Sequence, residues 1–94
     1  MAISDKTWFI YLLECADGSL YTGIAVDVAA RFAAHQSGQG ARYTRSHKPV
    51  RLLASAPVGN RSAALKAELA IKRLPKDRKL EGVRRFSGFE TEFP

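Results

Sequence analysis

The run from Trp8 to Gly23 constrains this chain more than any other stretch. Trp8-Phe9-Ile10-Tyr11-Leu12-Leu13 is apolar, aromatic and β-branched, the make-up of a buried strand. Ala16-Asp17-Gly18 supplies turn chemistry, because glycine takes a positive φ at little cost and aspartate tolerates turn positions. Leu20-Tyr21-Thr22-Gly23-Ile24 follows as a second strand, so the pair predicts a hairpin. Loop length then decides whether Tyr11 and Tyr21 can cooperate. A two-residue Asp17-Gly18 loop would pair Leu12 with Gly23 and put the tyrosines on opposite faces. A three-residue loop, with Gly18 left-handed in a G1 bulge, puts them on one face. Asp-Gly fits both, and we take the odd loop because it is the one that builds a site.

The remaining elements follow from caps and periodicity. Asp27 is a natural N-cap for a helix from Val28 to about Gln36, which Gly38 ends. Val28 and Phe32 share the face that packs on the sheet, while Arg31 and His35, four apart, give the helix a basic edge. Ser37 to Pro49 has no apolar period and carries Arg42, Tyr43, Arg45, His47 and Lys48, so an irregular basic loop is expected. Val50 to Ala56 reads as a third strand closed by Pro57 and Gly59.

Asn60 caps a second helix, Arg61 to Leu74, rich in good helix formers. On it, Leu65, Leu69 and Lys72 lie near one stripe; Ala64, Glu68 and Ile71 lie on an adjoining one. Pro75 breaks that helix or begins a short third one, and Asp77 to Phe86 reads as helical. Met1 to Thr7 reads as a frayed lead-in, and Ser87 to Pro94 as a docked or disordered tail. The expectation is a single domain over 1–94, with its core at about 8–84. Its class is α+β (mixed α/β): a three-stranded sheet flanked by helices, in the order β-β-α-β-α-α.

Composition narrows the function classes. A hydrophobic content of 46% in 94 residues is ordinary for one small domain that folds without a metal or disulfide. Cys15 stands alone, which excludes an intramolecular disulfide and a multi-cysteine zinc site, and points to a reducing compartment. With no leading signal and no apolar run of membrane-spanning length, a cytoplasmic protein without membrane contact is expected. The formal charge of +6 is unevenly spread: a net −3 up to Ala30 and a net +9 from Arg31 onward. A basic rear half suits a polyanion, nucleic acid before anionic lipid.

Phe9-Ile10-Tyr11, the short turn, Tyr21-Thr22-Gly23, then Arg31 and His35 on the first helix and Glu68 on the second resemble the GIY-YIG nuclease superfamily. The similarity is greatest to its small, single-domain bacterial subgroup. The stretches Gly38 to Arg45 and Ala63 to Glu68 look like that subgroup's other recurring segments, and the resemblance covers roughly Trp8 to Arg84. Phe9 stands where the first motif's glycine would be, and Thr22 replaces the middle isoleucine of the second. Both are strand-packing positions without reacting atoms.

The resemblance implies a metal-dependent endonuclease that hydrolyses phosphodiester bonds, in DNA rather than RNA, with low sequence specificity. It implies one Mg²⁺ or Mn²⁺ held by Glu68 as the sole protein ligand, with no small-molecule cofactor. Such an ion keeps most of its waters and often takes only one or two carboxylates plus substrate oxygens. Arg31 would hold the scissile phosphate, its guanidinium matching two oxygens at once, and its loss would cost on the order of 3 kcal/mol of barrier. Tyr11 would contact or deprotonate the attacking water; Tyr21 and His35 would assist it or orient the phosphate. A free phenol titrates near pH 10, so Tyr11 would need help to act as a base. Arg42, Thr44, Arg45, Lys72 and Arg73 are the expected nucleic-acid contacts.

Blander readings compete with each of these. Tyrosines in strands usually serve the core or its rim, and Glu68 with Lys72 could be an ordinary helix ion pair. The first rival function is therefore a nucleic-acid-binding module with little or no cleavage activity. A protein-interaction domain comes second.

Overall fold

A computed structural model describes residues 6–91, with side chains through Phe86. The elements are β1 (Trp8–Cys15), β2 (Leu20–Ala25), α1 (Val28–Gln36), α2 (Arg42–Ser46), β3 (Pro49–Gly59), α3 (Arg61–Lys72) and α4 (Lys76–Thr91). The three strands form one antiparallel sheet in the order β2-β1-β3, so the most apolar strand is the central one. This is the expected three-stranded α+β architecture, with one short helix added. Residues 1–5 of the expected lead-in and 92–94 of the expected tail lie outside the described residues.

The hairpin has the odd loop. Cys15 N–H donates to Ser19 O at 2.9 Å and Gly18 N–H to Cys15 O at 2.9 Å, so the Cys15–Ser19 pair closes a loop of Ala16, Asp17 and Gly18. Gly18 takes φ +85°, the left-handed position that a G1 bulge requires. Asp17 braces the turn, its carboxylate accepting from Ser19 N–H at 3.0 Å and Ser19 Oγ at 2.6 Å. The resulting register sets Tyr11 opposite Gly23 and Leu13 opposite Tyr21. Tyr11 and Tyr21 therefore emerge on the same face.

The pleat of β1 divides the core in two. Ile10 and Leu12 join Ala56, Ala67, Ile71 and Val83 under α3 and α4. Tyr11 and Leu13, one residue out of phase, join Ala25 and meet Val28 and Phe32 of α1. Asp27 caps α1 by accepting from Ala30 N–H at 3.0 Å, and Asn60 caps α3 by accepting from Ala63 N–H at 2.8 Å.

Three expectations change, and the buried face of α3 is now defined. The Ser37–Pro49 loop contains α2, which five residues are too few to announce by periodicity. Strand β3 runs past Pro57 to Gly59. It is an edge strand with one side unpaired, where a residue lacking an N–H is tolerated. On α3 the buried stripe is Ala64, Ala67 and Ile71, whereas Leu69 is 52% exposed; small side chains let the helix sit close to the sheet. Helix α4 continues to Thr91, through the first part of the segment expected to be a separate tail.

Candidate active site

Tyr11 sits in the middle of the central strand, and glycine makes room for its phenol. A Cβ on Gly23, directly across the ladder, would overlap the Tyr11 ring and hydroxyl. The glycine of Tyr21-Thr22-Gly23 is thus required by close approach and not by its own backbone angle. Tyr21 lies beside Tyr11 with ring centroids 6.4 Å apart, and the His35 ring is 5.0 Å from that of Tyr21.

His35 is the first correction at the site. The basic-edge expectation placed it on one edge with Arg31, and the two part here: His35 is 1% exposed while Arg31 is exposed. The chain after α1 folds back over the imidazole, and a Cβ on Gly40 would overlap the ring. Thr44 is the second. Expected among nucleic-acid contacts, it is 2% exposed, its hydroxyl turned inward to His35. A polymer in solvent does not reach it in this arrangement.

These residues form a hydrogen-bonded chain. Tyr11 Oη is 2.8 Å from His35 Nε2, and His35 Nδ1 is 2.7 Å from Thr44 Oγ1. The proton positions follow from the far end. Thr44 has one hydroxyl hydrogen, which it donates to Ala41 O at 2.9 Å. Its oxygen is then left to accept from His35 Nδ1–H, so Nε2 is bare and accepts from Tyr11 O–H. The opposite tautomer would have Nδ1 accept, either from Thr44 O–H, which would leave Ala41 O without that donor, or from Ala41 N–H at 3.4 Å, a longer and weaker contact.

Both rings are held in their neutral forms by their surroundings. Burial first, and the Arg31 charge second, lower the His35 pKa below its ordinary 6.5, so the ring is neutral near pH 7. Burial, and next the neighbouring Tyr21, push Tyr11 up to about 12. The Arg31 guanidinium pulls the other way, and the Glu68 carboxylate adds a smaller upward push. Tyr11 is accordingly a protonated phenol that senses both Arg31 and Glu68.

Glu68 borders the buried stripe of α3 and its side chain is 20% exposed, with Lys72 Nζ at 3.3 Å. Among the described residues no three His, Cys, Asp or Glu side chains gather as a metal cluster. The donor set therefore fits only an ion content with a single carboxylate, its other positions filled by water and substrate oxygens, which is the habit of Mg²⁺.

Outward from this centre the surface is aromatic and cationic. Tyr43 of α2 stacks near Tyr21 at 6.0 Å, and His47 lies parallel to Tyr43 at 4.0 Å. Arg42 and Arg45 on α2, and Lys72 and Arg73 at the end of α3, are exposed. A larger groove of about 900 Å³, between β3, α3 and α4, has a mostly apolar lining that includes Val58, Ile71, Leu74 and Phe86. It contains none of Tyr11, Tyr21, Arg31, His35 or Glu68, so it is separate from the candidate site. Sequence reasoning missed Gly40 and the inward role of Thr44; no local signal marks either, because both serve a ring on a different element.

A family model described as the GIY-YIG catalytic domain matches residues 7–81. A UPF0213 protein of Cupriavidus pinatubonensis is 55% identical over 76 residues, covering 81% of this chain and 84% of that one. The UPF0213 protein YhbQ of Escherichia coli K12 is 49% identical over 82 residues, covering 87% and 82%. Among solved structures, the solution structure of a UPF0213 protein from Bacillus halodurans matches with a TM-score of 0.51 at 36% identity. That match covers 93% of this chain and 94% of the other.

Proposed function

The chain belongs to the GIY-YIG catalytic domain family, and from that premise we propose that it is a Mg²⁺- or Mn²⁺-dependent endonuclease acting on DNA with low sequence specificity. The observation that carries this reading is the Tyr11–His35–Thr44 hydrogen-bonded chain, with Arg31 and Glu68 both close enough to shift Tyr11. A domain that only binds nucleic acid has no need of a buried, neutral imidazole aligned on a phenol.

Each residue then has a task. Arg31, exposed beside the Tyr11 phenol, holds the scissile phosphate and stabilises the charge that grows on its oxygens. Glu68 would hold one divalent cation, releasing or sharing its contact with Lys72. That ion, when bound, supplies Lewis-acid stabilisation of phosphate charge. Tyr11 cannot wait as a phenolate, since its pKa is about 12. It acts instead as a relay: its oxygen accepts a proton from the attacking water as its own proton passes to His35 Nε2, while the new oxygen–phosphorus bond forms, the bond from phosphorus to the leaving sugar oxygen breaks, and that oxygen takes up a proton from solvent. Thr44 Oγ1 steadies the resulting imidazolium through Nδ1–H. Tyr21 flanks both rings and orients the phosphate.

The test is divalent-metal-dependent nicking of plasmid, branched and single-stranded DNA by wild type beside Glu68→Gln and Tyr11→Phe. Both variants should lose at least about a hundredfold in rate, the scale of one lost catalytic group. Equal residual cutting in all three would mean contamination and remove the assignment. Salt-sensitive DNA binding without any metal-dependent cut would favour the binding module.

A further inference from the structure

Beside Arg31 lies a second groove of about 580 Å³, whose lining does not include His35. Its lining is apolar along Ile24, Ala25, Val26, Ala30 and Ala34, and carries Trp8, Arg31 and Arg61 beside them. Arg61 opens α3, and its guanidinium carbon stands 5.8 Å from the centroid of the Trp8 ring. That cation–π contact holds a long, flexible side chain at the groove's rim. Asp27 also lines the groove, but its Oδ1 caps α1 through Ala30 N–H. The net character is cationic over an apolar bed, with one aromatic surface. Those features suit a nucleotide: phosphate oxygens for the guanidiniums, a base and sugar for the indole and the alanines.

We infer that this groove takes the nucleotide next to the scissile phosphate, with Arg61 gripping its phosphate and Trp8 contacting its base. The inference rests on the nuclease reading for the phosphate at Arg31, and it adds a subsite that Tyr11, His35 and Glu68 do not touch. The continuity is Arg31 itself, which belongs both to the Tyr11 neighbourhood and to the groove wall. A nucleotide lying there would align the strand across the site, so that the reacting phosphate is presented by binding on one flank. No base-edge hydrogen-bonding group is required, and the subsite reads the strand without its sequence.

Trp8 is the only tryptophan in the chain, so its emission reports on this groove alone. The experiment titrates the full chain carrying Glu68→Gln, in EDTA, with thymidine 3′,5′-bisphosphate and with a labelled ten-nucleotide oligo(dT). Saturable quenching of Trp8 emission by both probes is expected, with pyrophosphate giving much less. Arg61→Gln should weaken oligonucleotide binding by about tenfold and flatten its log–log salt dependence by about 0.7. An oligonucleotide that binds by anisotropy while Trp8 stays silent overturns the inference, as does Arg61→Gln with unchanged affinity and salt slope. Equal quenching by pyrophosphate overturns the base contact. Cleavage assays on the unmutated chain separate the two claims: cutting with a silent Trp8 sinks the subsite alone, and a responsive Trp8 without cutting sinks the nuclease reading alone.

Discussion

Replacing Thr44 with Val tests the relay at its least obvious member. Valine keeps the branched shape and removes only the hydroxyl, in a position 2% exposed. His35 Nδ1–H then loses its acceptor at 2.7 Å, and Ala41 O loses its donor at 2.9 Å. A buried donor left without a partner costs about 1–3 kcal/mol. The imidazole can relieve part of this by moving its proton to Nε2, whereupon bare Nδ1 accepts from Ala41 N–H, now 3.4 Å away. That exchange reverses the Tyr11 contact, because Nε2–H would donate to the phenol instead of accepting from it. The expected loss of cleavage rate is about fivefold to 150-fold, the same 1–3 kcal/mol expressed as a barrier. Melting should fall by about 4–8 °C for each kcal/mol left unrelieved. The readouts are nicking rate, thermal melting and ¹⁵N NMR of the imidazole, with Thr44→Ser as the variant that restores all three. A Thr44→Val protein that cuts at the wild-type rate with Nδ1 still protonated would refute the relay. Weakened DNA binding with an unchanged tautomer would instead return Thr44 to a direct contact.

Gly23→Ala should destabilise the domain by about 1–3 kcal/mol, because the new methyl must displace the Tyr11 phenol. In a Tyr11→Ala background most of that cost should vanish, and simple additivity of the two melting shifts would disprove the close approach. His35 gives a pH signature in urea unfolding. Its folded-state pKa lies below the ordinary 6.5, so the unfolded chain takes up the proton first as pH falls. The stabilisation from keeping the ring neutral is therefore complete above pH 6.5 and drains away as pH drops from there towards the folded value. Parallel stability–pH curves for wild type and His35→Gln would rule this out. Changing Arg42 and Arg45 together to Gln should flatten the log–log salt dependence of duplex binding by about 0.9 for each phosphate that the pair neutralises. An unchanged slope would place both arginines outside the interface.

Much of this protein is written locally. The apolar run Trp8 to Leu13, the Asp17-Gly18 turn and the caps Asp27 and Asn60 each act within a few residues, and each lies where pattern and capping chemistry put it. The cross-strand meeting of Tyr11 and Tyr21 needed one further bit, loop parity, which Asp-Gly leaves open and the folded hairpin sets as odd. The burial of His35 is different in kind. It depends on α2, a helix of five residues too short for any period, and on Gly40 letting the chain close over a ring that belongs to α1. Likewise Thr44 reads in the sequence as one polar residue in a basic loop, and becomes an internal partner only because its hydroxyl meets an imidazole nine positions earlier. Chain-local energetics chose the elements. Which polar groups lost their water, and which partner each then had to find, was decided by contacts between elements, because desolvation exists only once the surfaces have met.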